Sequence, residues 1–160
     1  MPKRISIELS QQSISRGIRE VQRYKAWVMR KEELLRMELA TLGATVASIQ
    51  FSRAIYNGSK DVSVRVDDTG TVAVIYAEGE SVAFIEFGAG IKYGYGHPQA
   101  AEHGMGPGTY PGTGNWDNEK GWWYGHGQHS YGNPPAMAMY EAVQKMTEDL
   151  TRIAREVFRS

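Results

Sequence analysis

The sequence predicts an α+β fold: a long N-terminal helix, a small antiparallel sheet with a β-hairpin, a long Gly- and aromatic-rich loop, and a C-terminal amphipathic helix. Three observations carry this. Apolar residues recur at three- to four-residue steps over 11–42 and again over 136–158, which is the helical period. Between these, two β-branched runs alternate with polar residues on either side of Asp67-Asp68-Thr69-Gly70, as the arms of a hairpin do. The span 88–133 then holds thirteen of the eighteen glycines and few charges, a composition that fits neither period.

Taken in order, Ile5-Ser-Ile-Glu-Leu9 alternates as a short half-buried strand would, and Ser10 is placed to cap a helix N-terminus. From Gln11 to about Leu42, Ile14, Ile18, Val21, Trp27 or Val28, Leu34 or Leu35, and Leu42 recur at three- to four-residue steps with some slippage. Glu32 and Arg36 stand at i,i+4, a favourable ion pair. Gly43 is a place to break or kink this helix, and 44–56 continues its pattern until Asn57-Gly58, whose residues tolerate left-handed backbone. Val62, Val64 and Val66, then Val72, Val74 and Tyr76, form the two hairpin arms. Residues 81–87 read as a short helix or a third strand, with Val82, Phe84 and Ile85 in the core either way. Glu86 is wedged between Ile85 and Phe87, so its carboxylate needs solvent, a backbone amide or a basic partner. An edge position at the surface meets that need, and so does a salt bridge between subunits. The last helix runs from Ala136 to about Phe158 with Pro135 at its first turn. Its expected stripe is Met139, Val143, Met146, Leu150, Ile153 and Val157, with Glu141/Lys145 and Glu148/Arg152 as i,i+4 pairs.

The totals bound the function. One domain suits 160 residues, with 88–133 as its extended loop. Eighteen basic and eighteen acidic side chains cancel, which argues against a protein holding nucleic acid by bulk charge. The charge is uneven: residues 1–40 hold nine Lys or Arg against five Asp or Glu, and residues 60–86 hold two against six. Such asymmetry either orients like subunits head to tail or reflects two solvated faces. The absence of cysteine excludes disulfides and Cys-ligated metal sites. Neither a signal peptide nor a membrane-spanning run is expected, so the chain reads as a soluble product of the cytoplasm.

Catalytic signals are weak. His126-Gly-Gln-His129, with Asp117 or Glu119, has a spacing that zinc uses, but in a Gly-rich loop the histidines are as well explained as exposed or ring-stacked. Asp67 and Asp68 are turn residues before they are paired catalytic carboxylates. Gly104, Gly106 and Gly108 lack the flanking strand and helix of a phosphate-binding loop. No catalytic residue, metal or cofactor is therefore expected. The loop's tyrosines and tryptophans suit a segment that is mobile alone and orders against a partner, or one that stacks on sugar rings, or one that folds back on its own domain.

Two segments together give a resemblance. Val82-Ala-Phe-Ile-Glu-Phe-Gly-Ala-Gly90, following a hairpin, and Asn133-Pro-Pro-Ala-Met-Ala-Met-Tyr-Glu-Ala142, entering the last helix, resemble the head–tail joining, or tail-completion, proteins of long-tailed bacteriophages. The order of parts is similar over about 10–90 and 133–158. Met137 and Met139 stand where that family often has an aromatic and an Arg, and the 88–133 loop is longer than usual. The resemblance implies a structural virion protein of the neck, without catalysis, made in the bacterial host cytoplasm. Copies would form a ring, expected to be sixfold, that caps the tail tube and docks it to the head connector. No membrane and no sequence-specific nucleic acid is implied, only passive contact with passing DNA. Glu86, Phe87, Trp116, Trp122, Trp123 and Tyr124 are the expected interface residues toward other subunits or partners.

Overall fold

A computed structural model describes residues 6, 8–90, 92–93, 96–105, 119–124 and 127–159. The expected strand at 5–9 is not found among them. Glu8 and Leu9 lie in irregular chain, and Ile5 and Ile7 fall outside the described residues. Helix α1 spans Gln11–Arg53, roughly 65 Å at the standard rise. Ser10 caps it as expected, its hydroxyl accepting from the Ser13 amide at 3.2 Å. Gly43 does not interrupt it. A Cβ there would lie 2.5 Å from Ile75 Cδ1 and 2.6 Å from Met146 Sδ, so this glycine marks a close approach of three elements. The helix stops at Arg53, ahead of Asn57-Gly58, because Ala54 turns to extended backbone.

Strands β1 (Ser63–Asp68) and β2 (Ala73–Glu78) form the expected antiparallel hairpin, with Val66 opposite Ile75. Its inner face is Val64, Val66, Ala73, Ile75 and Ala77. Val72 and Val74 point outward, because the β2 alternation that reaches α1 is the odd-numbered one. Asp68 closes the turn by accepting from the Gly70 amide at 2.9 Å and clamps the hairpin to α1 through Arg36 Nε at 3.0 Å. Arg36 also keeps the expected Glu32 partner, at the longer distance of 3.9 Å.

Residues 81–87 resolve as helix: α2 spans Val82–Phe87. Asp61 receives the Glu80 and Ser81 amides at 2.7 and 3.0 Å ahead of it, and the Ser81 hydroxyl donates to the same carboxylate. Gly88, at φ +79°, ends it. The span 88–133 is not one unbroken loop. It holds a second hairpin, β3 (Trp122–Tyr124) against β4 (Gln128–Ser130), which the sequence reading missed.

Helix α3 spans Ala138–Arg159, beginning two residues later than expected and leaving Pro135 outside. It runs antiparallel to α1. Its start packs Ala138 and Ala142 with Ala47 and Phe51, Met146 meets Gly43, and near its end Phe158 meets the Trp27 ring at 5.7 Å. Small residues at 43, 47, 138 and 142 let the two backbones approach. The buried stripe is Ala138, Ala142, Ile153 and Val157, whereas Val143 and Leu150 face outward. Both expected ion pairs are replaced. Lys145 lies 3.6 Å from Glu148 and 3.5 Å from Asp149, and Arg152 reaches Asp149 at 3.0 Å and Glu156 at 3.2 Å. The core joins Ala47, Phe51, Ile85, Ala138 and Ala142 to the inner hairpin face. Among the described residues no helix is long and apolar enough to cross a membrane.

Candidate functional site

The two segments singled out in the sequence, about fifty residues apart, meet in one joint. Ala89 and Asn133 exchange backbone hydrogen bonds at 3.0 and 2.9 Å. The Asn133 side-chain amide donates to the Phe84 carbonyl at 2.8 Å. The Ala136 amide donates to the Ile85 carbonyl at 2.8 Å, and the Met137 amide to the Glu86 carbonyl at 3.2 Å. The end of α2 thus acts as a template for the entry to α3. Contact is so close that Gly132, at φ +95°, has no room for a side chain: a Cβ would sit 1.9 Å from the Ala89 carbonyl oxygen. Met137 takes a left-handed conformation (φ +51°), which costs a residue with a side chain and persists where the joint holds it.

Glu86 lies at the centre of this joint, 5% exposed. Its carboxylate accepts from the Met139 amide at 3.0 and 3.1 Å and from the Tyr140 amide at 3.1 Å, so it caps α3 from a distant part of the chain. A helix start offers unpaired N–H groups and a positive dipole end, both of which favour an anion. The third donor is His97 Nε2 at 3.2 Å from Oε1. Because the Gln99 amide donates to His97 Nδ1 at 3.1 Å, that nitrogen carries the lone pair and the ring proton sits on Nε2, facing Glu86. Phe87 packs its ring on His97 (4.5 Å) and His103 (5.2 Å), and Tyr140 meets His97 edge to face at 5.8 Å. The surface-edge reading of Glu86 is therefore corrected, and so is its salt bridge to another subunit: its partners are amides and an imidazole of its own chain. Among the described residues no buried side-chain nitrogen or oxygen lacks a hydrogen-bond partner.

The second hairpin separates the tryptophans. Successive strand residues face opposite sides. Trp122 turns in and lines a cleft of about 230 Å³ with Tyr56, Phe84, Ser130 and Asn133. Trp123 turns out and is 71% exposed. Opposite it in the register stands His129, whose ring meets Trp123 at 4.8 Å and Tyr131 at 4.6 Å, both edge to face. Lys92 Nζ lies 5.6 Å from the centroids of both Tyr131 and Tyr93. The result is a surface ladder of aromatic faces with one cation beside it, a chemistry suited to stacking on a partner's rings or apolar edges. Of the remaining expected interface residues, Tyr124 belongs to β3, and Trp116 lies outside the described residues. His126 and Asp117 also lie outside them, and among the described residues no three potential ligands gather for a metal. One signal could have found the hairpin: Trp-Trp-Tyr and Gln-His-Ser flank Gly125-His126-Gly127, two short runs on either side of a glycine-rich triplet.

No family model, no curated protein and no solved structure matches the chain.

Proposed function

We propose that the chain is a tail-completion subunit of a long-tailed bacteriophage, a non-enzymatic structural protein of the neck that assembles with copies of itself between the tail tube and the head connector. One observation carries the reading. The two segments that resemble this family, distant in sequence, form a single joint in which Glu86, Gly88 and Asn133 each have a defined packing or hydrogen-bonding task. Chance likeness in two short motifs gives no reason for them to meet. A long helix, a hairpin, the segment ending in Glu86-Phe87-Gly88 and a closing helix follow one another in the order the resemblance expects. The test is electron microscopy of the lysate after deletion of this gene from the phage or prophage carrying it. DNA-filled heads beside separate finished tails are the expected result, and normal infectious particles would refute the neck role.

The exposed Trp123–His129–Tyr131 ladder favours a second reading, a binding module for a glycan or protein partner. A glycan array with wild type and Trp123→Ala separates the two. Binding that depends on Trp123 and particles that assemble normally without the gene would move this reading to the front.

A further inference from the structure

Helix α3 ends at Arg159, beside the Phe158 ring that meets Trp27, while α1 continues from Ala26 back to Gln11, roughly 24 Å further. On this overhang Ile14, Ile18, Val21 and Tyr24 are about half exposed and spaced at i, i+4, i+7 and i+10, one face of a helix. The same stretch carries Arg16, Arg19, Arg23 and Lys25 against Glu20 alone. Elsewhere the molecule has a surface of the opposite kind. Between α1, β2 and α3 lies an apolar cleft of about 440 Å³, lined among others by Leu39, Val74, Ile75, Val143 and Met146. Val74 and Val143 at its lips are about half exposed. The hairpin that walls the cleft bears Asp67, Asp68 and Glu78, with Glu80 just after it, against two cations: Arg65, paired to Glu78 at 3.4 Å, and the cleft-lining Arg36, paired to Asp68 at 3.0 Å.

We infer that the overhang of one copy seats in the α1–β2–α3 cleft of the next, with Ile14, Ile18 and Val21 as anchors and the arginines against the acidic hairpin. This deepens the self-assembling subunit proposed above and rests on that reading for its setting. A helix with anchors at i, i+4 and i+7 is the shape an apolar groove between two helices accepts. Charge selects the occupant. Two overhangs laid side by side would bring eight cations against two carboxylates, whereas overhang on hairpin brings opposite signs together. The contact cannot form within one chain, because Ile18 stands roughly 33 Å along a continuous helix from Ala40 at the cleft. Since the two surfaces differ, the contact is head to tail: it repeats from copy to copy and closes as a ring when the rotation allows.

The chain has no cysteine, so single cysteines give a clean readout. Ile18→Cys and Val143→Cys proteins are mixed at high concentration under mild oxidation, with Thr151→Cys, exposed on α3, as the reference for random collision. The expected product is a mixed Ile18→Cys/Val143→Cys disulfide several-fold above both homodimers and the Thr151→Cys reference. A chain bearing both cysteines should give a ladder, and adding Ile14→Asp and Val21→Asp should abolish it. Predominant Ile18→Cys homodimer, or no product above the reference, overturns the inference. If the mixed disulfide fails while gene deletion still separates heads from tails, only this contact falls. If it forms while deletion leaves infectious particles, only the neck reading falls.

Discussion

The joint at Glu86 and the overhanging end of α1 invert the usual expectation for their residue types. Glu86, a carboxylate, is 5% exposed, while Ile14, Ile18 and Val21, all aliphatic, are about half exposed. Burial here follows the supply of partners. The start of α3 presents two amides and His97 presents a third donor, so an anion is stable inside. Along Gln11–Ala26, the stretch of α1 beyond the end of α3, Ile14, Ile18 and Val21 remain about half exposed. The difference teaches that the joint is organised around hydrogen-bonding demand, while the overhang of α1 keeps apolar side chains at the surface.

Breaking the joint should cost most. Glu86→Ala leaves the Met139 and Tyr140 amides without their acceptor in a closed space, and the expected loss is about 3 kcal/mol, read as a lower urea midpoint. Glu86→Gln, keeping one acceptor oxygen, should lose roughly half of that. An unchanged midpoint for both would mean that solvent reaches the cap. Gly132→Ala comes next, at about 2–3 kcal/mol, since its Cβ would collide with backbone and its φ is positive.

The two adjacent tryptophans sharpen the same contrast on a smaller scale. Trp122→Ala opens the cleft behind Asn133 and should cost about 2 kcal/mol, less than for a fully buried Trp. Trp123→Ala should stay within about 0.5 kcal/mol of wild type while weakening any binding through the ladder. Equal thermal shifts for the two would contradict the in–out alternation of β3. The smallest effect comes from surface carboxylates. The Ser81 hydroxyl, then the Glu80 and Ser81 amides, hold Asp61 below its ordinary value of 3.8, and the Arg36 hydrogen bond does the same for Asp68. A depressed folded value means stabilisation that is complete above 3.8 and lost as pH falls through the folded value. Acid titration of stability should therefore steepen below about pH 4, and Asp61→Asn with Asp68→Asn should flatten it. A double variant with the wild-type acid profile would remove these two groups from the account.

Helical period, hairpin alternation and the Ser10 cap were legible in the sequence because each is a local property: spacing, β-branching and a hydroxyl before a helix act within a few residues. For the same reason the α+β class, with a long first helix, a hairpin and a closing helix in that order, could be read from the sequence. What Gly43 does could not, since a glycine in a helix reads as a break until Ile75 and Met146 are seen pressing against it. Nor could the inward face of β2 or the regrouped ion pairs of α3, and the second hairpin left only the two short runs beside Gly125-His126-Gly127 in a span whose composition says loop. Glu86 is the sharpest case. Its neighbours in sequence showed that the carboxylate needed a donor, and they named a backbone amide among the candidates. Only the tertiary structure decided which, because the amides that hold it belong to a helix that begins about fifty residues later and arrives there through the fold.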